Sequence, residues 1–177
     1  LIEGKKEETI AMAEDLLNSF EQVYKKKWLS MMRSKLGLLL AEKEDEKLIT
    51  DLLDWMHGSQ SDYTNTFRDL SNSALFTGEL YASENFQNWH SRWQMRLEKE
   101  EQDRESSHAQ MGSVNPSVIP RNHKVEEALQ AGEQGDFKPF HDLINAMKEP
   151  YEGGEHLLPY QAPPEPGEKV LQTFCGT

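Results

Sequence analysis

Apolar positions in the first third of the chain recur in steps of three and four. Over residues 9–36 they fall at Ile10, Ala13, Leu17, Phe20, Tyr24, Trp28, Met31 and Met32. That spacing puts them on one stripe of a long amphipathic helix. The Lys25, Lys26 and Lys27 run sits mostly off the stripe, and Gly37 supplies a left-handed stop. Leu48, Leu52, Leu53 and Met56 repeat the pattern in a second helix ended by Gly58. Ser61 or Asp62 can cap a third helix, with Tyr63, Phe67 and Leu70 on one face. Ser83 can cap a fourth that carries Phe86, Trp89, Trp93 and Leu97, and its charged continuation over residues 98–105 is expected to project into solvent. Residues 106–120 break the pattern with Gly112, Pro116 and Pro120. Asn122 or its neighbours open a fifth helix through Val125 and Leu129, and Asp136 can cap a sixth through Phe140, Leu143, Ile144 and Met147. Five of the eight prolines lie from Pro150 onward, where helical periodicity ends. No alternating run long enough for a strand occurs. The expected class is all-α: a single helical domain of about six helices over residues 1–149, then an extended proline-rich tail over 150–177. Such a tail holds its shape only by lying against a surface.

A chain of 177 residues suffices for one compact domain. Hydrophobic residues are only 36%, so seven Phe, five Tyr and four Trp must supply much of the core. The net charge of -12 repels phosphate backbones and argues against nucleic-acid binding. No apolar run approaches the roughly 18 residues of a membrane span. A single cysteine, Cys175, excludes an internal disulfide framework and fits a reducing, cytoplasmic setting. Leu1, Ile2, Glu3 and Gly4 lead straight into acidic helical text with no initiator Met, so the residues read as a portion of a longer chain.

Candidate chemistry is sparse. Gly153 and Gly154 form an isolated pair in a turn, not a phosphate loop, and the six histidines never take a compact ligand spacing. His90 is expected beside Trp93 in a structural or surface role. The acidic run 98–105 lacks the glycine and alternate spacing of a calcium loop, and Lys99 and Arg104 interrupt it. No serine sits in a nucleophile elbow. The tryptophans Trp28, Trp55, Trp89 and Trp93 fall mostly on helical stripes and read as core. Asn115, Pro116, Pro120, Arg121 and Asn122 form the most unusual local text. Either they make a rigid loop that sets a helix N-terminus, or Arg121 or Asn122 reaches toward a neighbouring domain. No catalytic, cofactor-binding or metal-binding residue is assigned.

Several segments in order are specific. They are Asp62-Tyr63-Thr64-Asn65-Thr66-Phe67-Arg68 preceded by Asp51-Leu52-Leu53, then Trp89 with Arg92-Trp93, then Asn115-Pro116 with Pro120-Arg121-Asn122-His123. Gly135-Asp136-Phe137, Pro150-Tyr151 and the closing Thr173-Phe174-Cys175-Gly176-Thr177 continue the series. In that order they closely resemble the C-terminal part of the selenoprotein O (YdiU-type) family, from about Phe20 to Thr177. The resemblance implies a kinase-like protein that binds ATP with magnesium or manganese and transfers AMP to Ser, Thr or Tyr hydroxyls of other proteins. It places the family's nucleotide-binding, metal-binding and catalytic residues in a kinase-like region upstream, so none maps onto this chain. It implies that region as a partner in cis, with protein substrates for the whole enzyme. It also singles out Cys175, at a position that holds selenocysteine in some animal members, as a redox-active residue able to close a reversible disulfide to the kinase-like region. A free-standing helical protein-interaction module is the alternative, and the reading frame upstream of Leu1 separates the two.

Overall fold

The structure, a computed structural model, describes residues 2–72 and 78–170, with side chains from residue 5 onward. It is all-α, and among the described residues there is no strand. Helix α1 (Ile2–Lys35) is followed by α2 (Asp45–Ser59), α3 (Tyr63–Leu70), a short α4 (Glu79–Ala82) and α5 (Glu84–Leu97). Then come α6 (Arg104–Val114), α7 (Asn122–Glu133), α8 (Lys138–Ala146) and a short α9 (Leu158–Gln161). Two 3-10 turns, Glu155–Leu157 and Pro166–Glu168, flank α9.

The main core is built where the C-terminal end of α1 meets α2, α3, α5 and α6. Met32, Leu36, Leu38, Ile49, Leu52, Phe67, Leu70, Phe86, Trp89, Trp93 and Met111 are all buried in one cluster. The two tryptophan rings on α5 stack at 5.7 Å, and each indole N–H has a backbone acceptor. Trp89 donates to the Leu48 carbonyl at 2.8 Å and Trp93 to the Leu36 carbonyl at 3.0 Å, so neither buried polar atom is left unpaired. Gly37 ends α1 with φ +71°, and Leu38 N–H closes back on the Arg33 carbonyl at 2.9 Å. A Cβ at Gly37 would also meet Met111 Sδ at 3.3 Å, so glycine is required for both conformation and space.

A charged network lies inside this core. Asp45 is wholly buried at the start of α2. It accepts from Arg33 Nε at 2.7 Å, Arg96 Nε at 2.7 Å and its neighbour Glu42 N–H at 2.9 Å. Arg96 continues to Glu100 at 2.7 Å and to the Leu40 carbonyl at 2.7 Å, and Glu100 in turn accepts from Leu39 and Leu40 N–H. The α1–α2 loop is thus clamped from both sides by charges. Burial raises the Asp45 carboxyl, but the Arg96, Glu42 and Arg33 hydrogen bonds outweigh it and hold the group below its ordinary value.

Several expectations are corrected. Segment 98–105 does not simply project into solvent: Glu100 is buried as the partner of Arg96. Residues 106–114, expected to break the pattern, are helical in α6, which is capped by Asp103 accepting from Ser106 N–H at 2.7 Å. Gly58 does not end α2; Gln60 takes the left-handed position at φ 55°. Tyr63 is 44% exposed at the first turn of α3, where Phe67 and Leu70 carry the core face. On α7 and α8 the buried positions are Ala128, Leu143 and Ala146, while Leu129, Phe140 and Ile144 stay exposed. Along α1 only Met32 is buried from the predicted stripe, Trp28 is half-buried, and Ile10, Leu17, Phe20, Tyr24 and Met31 are exposed. The tail is not extended throughout, since α9 and the 3-10 turns lie in it. It does lie against a surface: Leu157 packs with Val118 and Ala146 in a second small core.

Replacing Trp93 with alanine removes a fully buried ring and should cost about 3–5 kcal/mol, read as a lower midpoint in urea unfolding. The Asp45 network contributes to the acid limit. A carboxyl whose folded-state value is depressed contributes stability that is present above its unfolded value of about 3.9 and is lost as pH falls through the depressed folded value. Thermal midpoints should therefore hold from neutrality to about pH 4 and drop below it. The Asp45→Asn variant, destabilised throughout, should show a shallower drop.

Candidate functional site

Three of the segments that carried the resemblance, 62–68, 115–116 and 120–123, meet at the junction of α1, α3, α6 and the loop before α7. Asp62, the N-cap of α3, accepts from Asn65 N–H at 2.8 Å. Its carboxylate is also gripped by both terminal nitrogens of the buried Arg121, at 2.7 and 3.0 Å. The same guanidinium reaches Asn65 Oδ1 at 3.1 Å, while Asn65 Nδ2 donates to the Gln161 carbonyl at 3.0 Å and fastens the tail. Burial raises the Asp62 carboxyl, and the Arg121 and Asn65 hydrogen bonds more than reverse it, leaving it below its usual range.

Asn115, fully buried at the end of α6, is the second knot. Its amide donates to the Lys35 carbonyl and to Ser71 Oγ, both at 2.9 Å, and its Oδ1 accepts from Lys35 Nζ at 3.0 Å. Arg68 donates to the carbonyls of Gly112 and Asn115 at 3.3 and 3.2 Å. The Lys35 ammonium lies over the Phe67 and Tyr63 rings, 5.1 and 5.7 Å from their centroids, and its pKa is lowered by burial. Ser117 donates to the Glu152 carbonyl and its N–H to the Pro150 carbonyl, which binds the chain after α8 to the loop before α7.

Chemically this is a fastening. The carboxylate, amides and cations of the cluster bind one another, backbone groups or the Ser71 hydroxyl. Among the described residues no group of three or more His, Cys, Asp or Glu is placed to hold a metal ion. Gly153 and Gly154 make no phosphate cradle: a Cβ at Gly154 would stand 2.7 Å from the His156 ring. The open cleft of about 630 Å³ beside α2, α4 and α5 is lined by Asp51, Asp54, Trp55 and Glu79, and its Arg92 is already paired with Asp51 at 2.7 Å.

Of the residues singled out from sequence, Arg121 takes the first of its two readings, setting the start of α7 from a buried position; Asn122 is the first residue of that helix. His90 is half-buried beside Trp93, with ring centroids 5.5 Å apart. Trp89 and Trp93 are core, and Trp28 and Trp55 pack partly buried against it. Cys175 lies outside the described residues. Sequence reasoning missed the Asp45, Arg96 and Glu100 network. Arg96 falls between Trp93 and Leu97 on the apolar stripe of α5, and a charge in that register is the signal that could have exposed it.

The architecture is that of an all-α scaffold whose motif residues bind its own elements together. Comparison with known proteins gives it a family. The profile of the family described as Protein adenylyltransferase SelO matches residues 8–148. The chain is 48% identical over 172 residues to a Protein nucleotidyltransferase YdiU of Nitrosococcus oceani, covering 97% of this chain and 35% of that protein. It is 50% identical over 169 residues to one of Alcanivorax borkumensis, covering 95% and 35%. A third, of Pelagibacter ubique, is 43% identical over 177 residues, covering 100% and 37%. The chain belongs to the SelO protein adenylyltransferase family. It spans about a third of the length of the curated relatives it matches, and the similarity starts earlier than Phe20, within the first turns of α1.

The fastening can be tested as a pair. Arg121→Ala and Asp62→Ala should each lower stability by about 1.5–3 kcal/mol, the range for hydrogen bonds to charged groups. The double variant should cost clearly less than the two together in a double-mutant cycle. Full additivity would mean that the two side chains act independently.

Proposed function

We propose that this chain is the helical portion of a protein adenylyltransferase, in which residues 1–149 buttress a kinase-like catalytic region carried elsewhere in the same polypeptide. Residues 150–177 are the tail of that scaffold, and its described part, up to residue 170, lies against α3 and α8 through Gln161 and Leu157. In the whole protein the reaction is transfer of AMP from ATP, with magnesium or manganese, to the Ser, Thr or Tyr hydroxyls of other proteins in the cytoplasm. The observation that carries this reading is the use made of the family segments. Asp62, Asn65, Arg68, Asn115 and Arg121 bind one another or backbone groups, which is how a support behaves. Membership of an adenylyltransferase family and relatives about three times as long support the rest. No helix among the described residues is long and apolar enough to cross a membrane.

The test is transfer itself. With labelled ATP, either metal and a protein acceptor, the full-length protein should label the acceptor and the 177-residue chain should not. Transfer by this chain at a rate comparable with the full-length protein would move the chemistry into these residues and overturn the proposal. The redox role of Cys175 rests on the resemblance. It predicts that a thiol reductant raises the activity of the full-length protein and that Cys175→Ser abolishes this response.

A further inference from the structure

Helix α1 has two different faces. At about 100° per residue, Met12, Leu16, Leu17, Phe20, Val23 and Tyr24 share an arc of about 140°. All are exposed, Leu17 at 74% and Phe20 at 66%, and the Phe20 and Tyr24 rings stack on each other at 6.1 Å. The acids of the helix, Glu7, Glu8, Glu14, Asp15 and Glu21, fall in the opposite arc. Met32, Leu36 and half-buried Leu29, which attach α1 to its own domain, lie on that acidic side further toward the C-terminus, and half-buried Trp28 and Lys35 attach it from the edge of the apolar arc. The middle of the apolar face, around Phe20, therefore points away from Met32 and Leu36 in this domain's core, and all six of its side chains are exposed. Six large side chains on one face of one helix form a patch of the kind that marks an interaction surface.

We infer that the apolar face of α1 around Leu17 and Phe20 is the docking surface for the remainder of the adenylyltransferase polypeptide, the region outside these 177 residues. The inference rests on the proposed function, since it names where the kinase-like region seats. Two observations choose this occupant. The family match begins at residue 8, so the stripe lies in family sequence, and the matched relatives carry about twice as much chain again beyond it. Charge disfavours a second copy: Lys5, Lys6 and Lys27 are the charged residues within or bordering the apolar arc over residues 5–27. An antiparallel pairing of two such faces would bring Lys27 of one copy toward Lys5 and Lys6 of the other. The occupant is accordingly an apolar surface with an acidic rim.

The experiment uses the full-length protein in a Cys175→Ser background, with any other accessible cysteines replaced. Leu17→Cys and Phe20→Cys report the apolar face; Asp15→Cys and Gln22→Cys report the opposite face of the same helix. Docking predicts that a maleimide labels the first two at least about tenfold more slowly than the last two, independently of protein concentration. Rates equal within about twofold at all four sites would overturn it. Protection that disappears on dilution would assign the face to a second copy and equally overturn it, as would a reading frame that begins at Leu1. AMP transfer measured on the same samples keeps the two ideas apart. Transfer without protection leaves the proposed function and removes the docking surface, whereas protection without transfer does the reverse.

Discussion

The fold depends on one buried carboxylate. Asp45 has no contact with solvent, so its charge must be matched within the protein, and it is matched by arginines from two other elements, Arg33 on α1 and Arg96 on α5. Removing either arginine would leave the buried carboxylate with a single guanidinium partner and one charged hydrogen bond fewer, a loss of about 1.5–3 kcal/mol. The network thereby fixes three helices at one point. It also orders the loop between α1 and α2, since Glu100 takes the Leu39 and Leu40 N–H groups and Arg96 the Leu40 carbonyl. The two tryptophans on α5 then pack in a frame whose register is already set, each tied by its indole nitrogen to the backbone of α1 or α2.

The cluster of family residues does similar work between the two halves of the domain. Arg121 grips the cap of α3 from the start of α7, and Asn115 joins the end of α1 to the end of α3 from the end of α6. Bidentate guanidinium-to-carboxylate pairing fixes orientation as well as distance, which suits a joint whose task is to hold helices at set angles. The tail is drawn into the same joint through Asn65 and Ser117. Part of the residue pattern that carries the family resemblance thus holds the chain's own helices together.

Helix α1 links the two roles. Its last turns are part of the core, and its middle turns, from Met12 to Tyr24, carry an exposed apolar face. A helix of 34 residues anchored at one end can present such a face without disturbing the domain that holds it.

Local sequence determined much of this. The 3.6-residue period placed α1, α2, α3, α5, α7 and α8 and named Trp89, Trp93, Phe86 and Phe67 as core, because burial of one face is written into spacing. Gly37 as a left-handed stop and Asp62 as a cap were equally legible, since both act within a few residues of themselves. The order of the motifs gave the family, though nothing in their spacing told that Asp62 and Arg121, 59 residues apart, are partners. Tertiary structure alone decided three things. It put Asp45, Arg96 and Glu100 inside, because a charge can be buried only where opposite charges from distant segments meet it. It made α6 a helix although its own apolar pattern is weak, because Met111 fills the space beside Gly37. And it left the stripe of α1 in solvent, because periodicity states that a face is apolar but not which surface it meets.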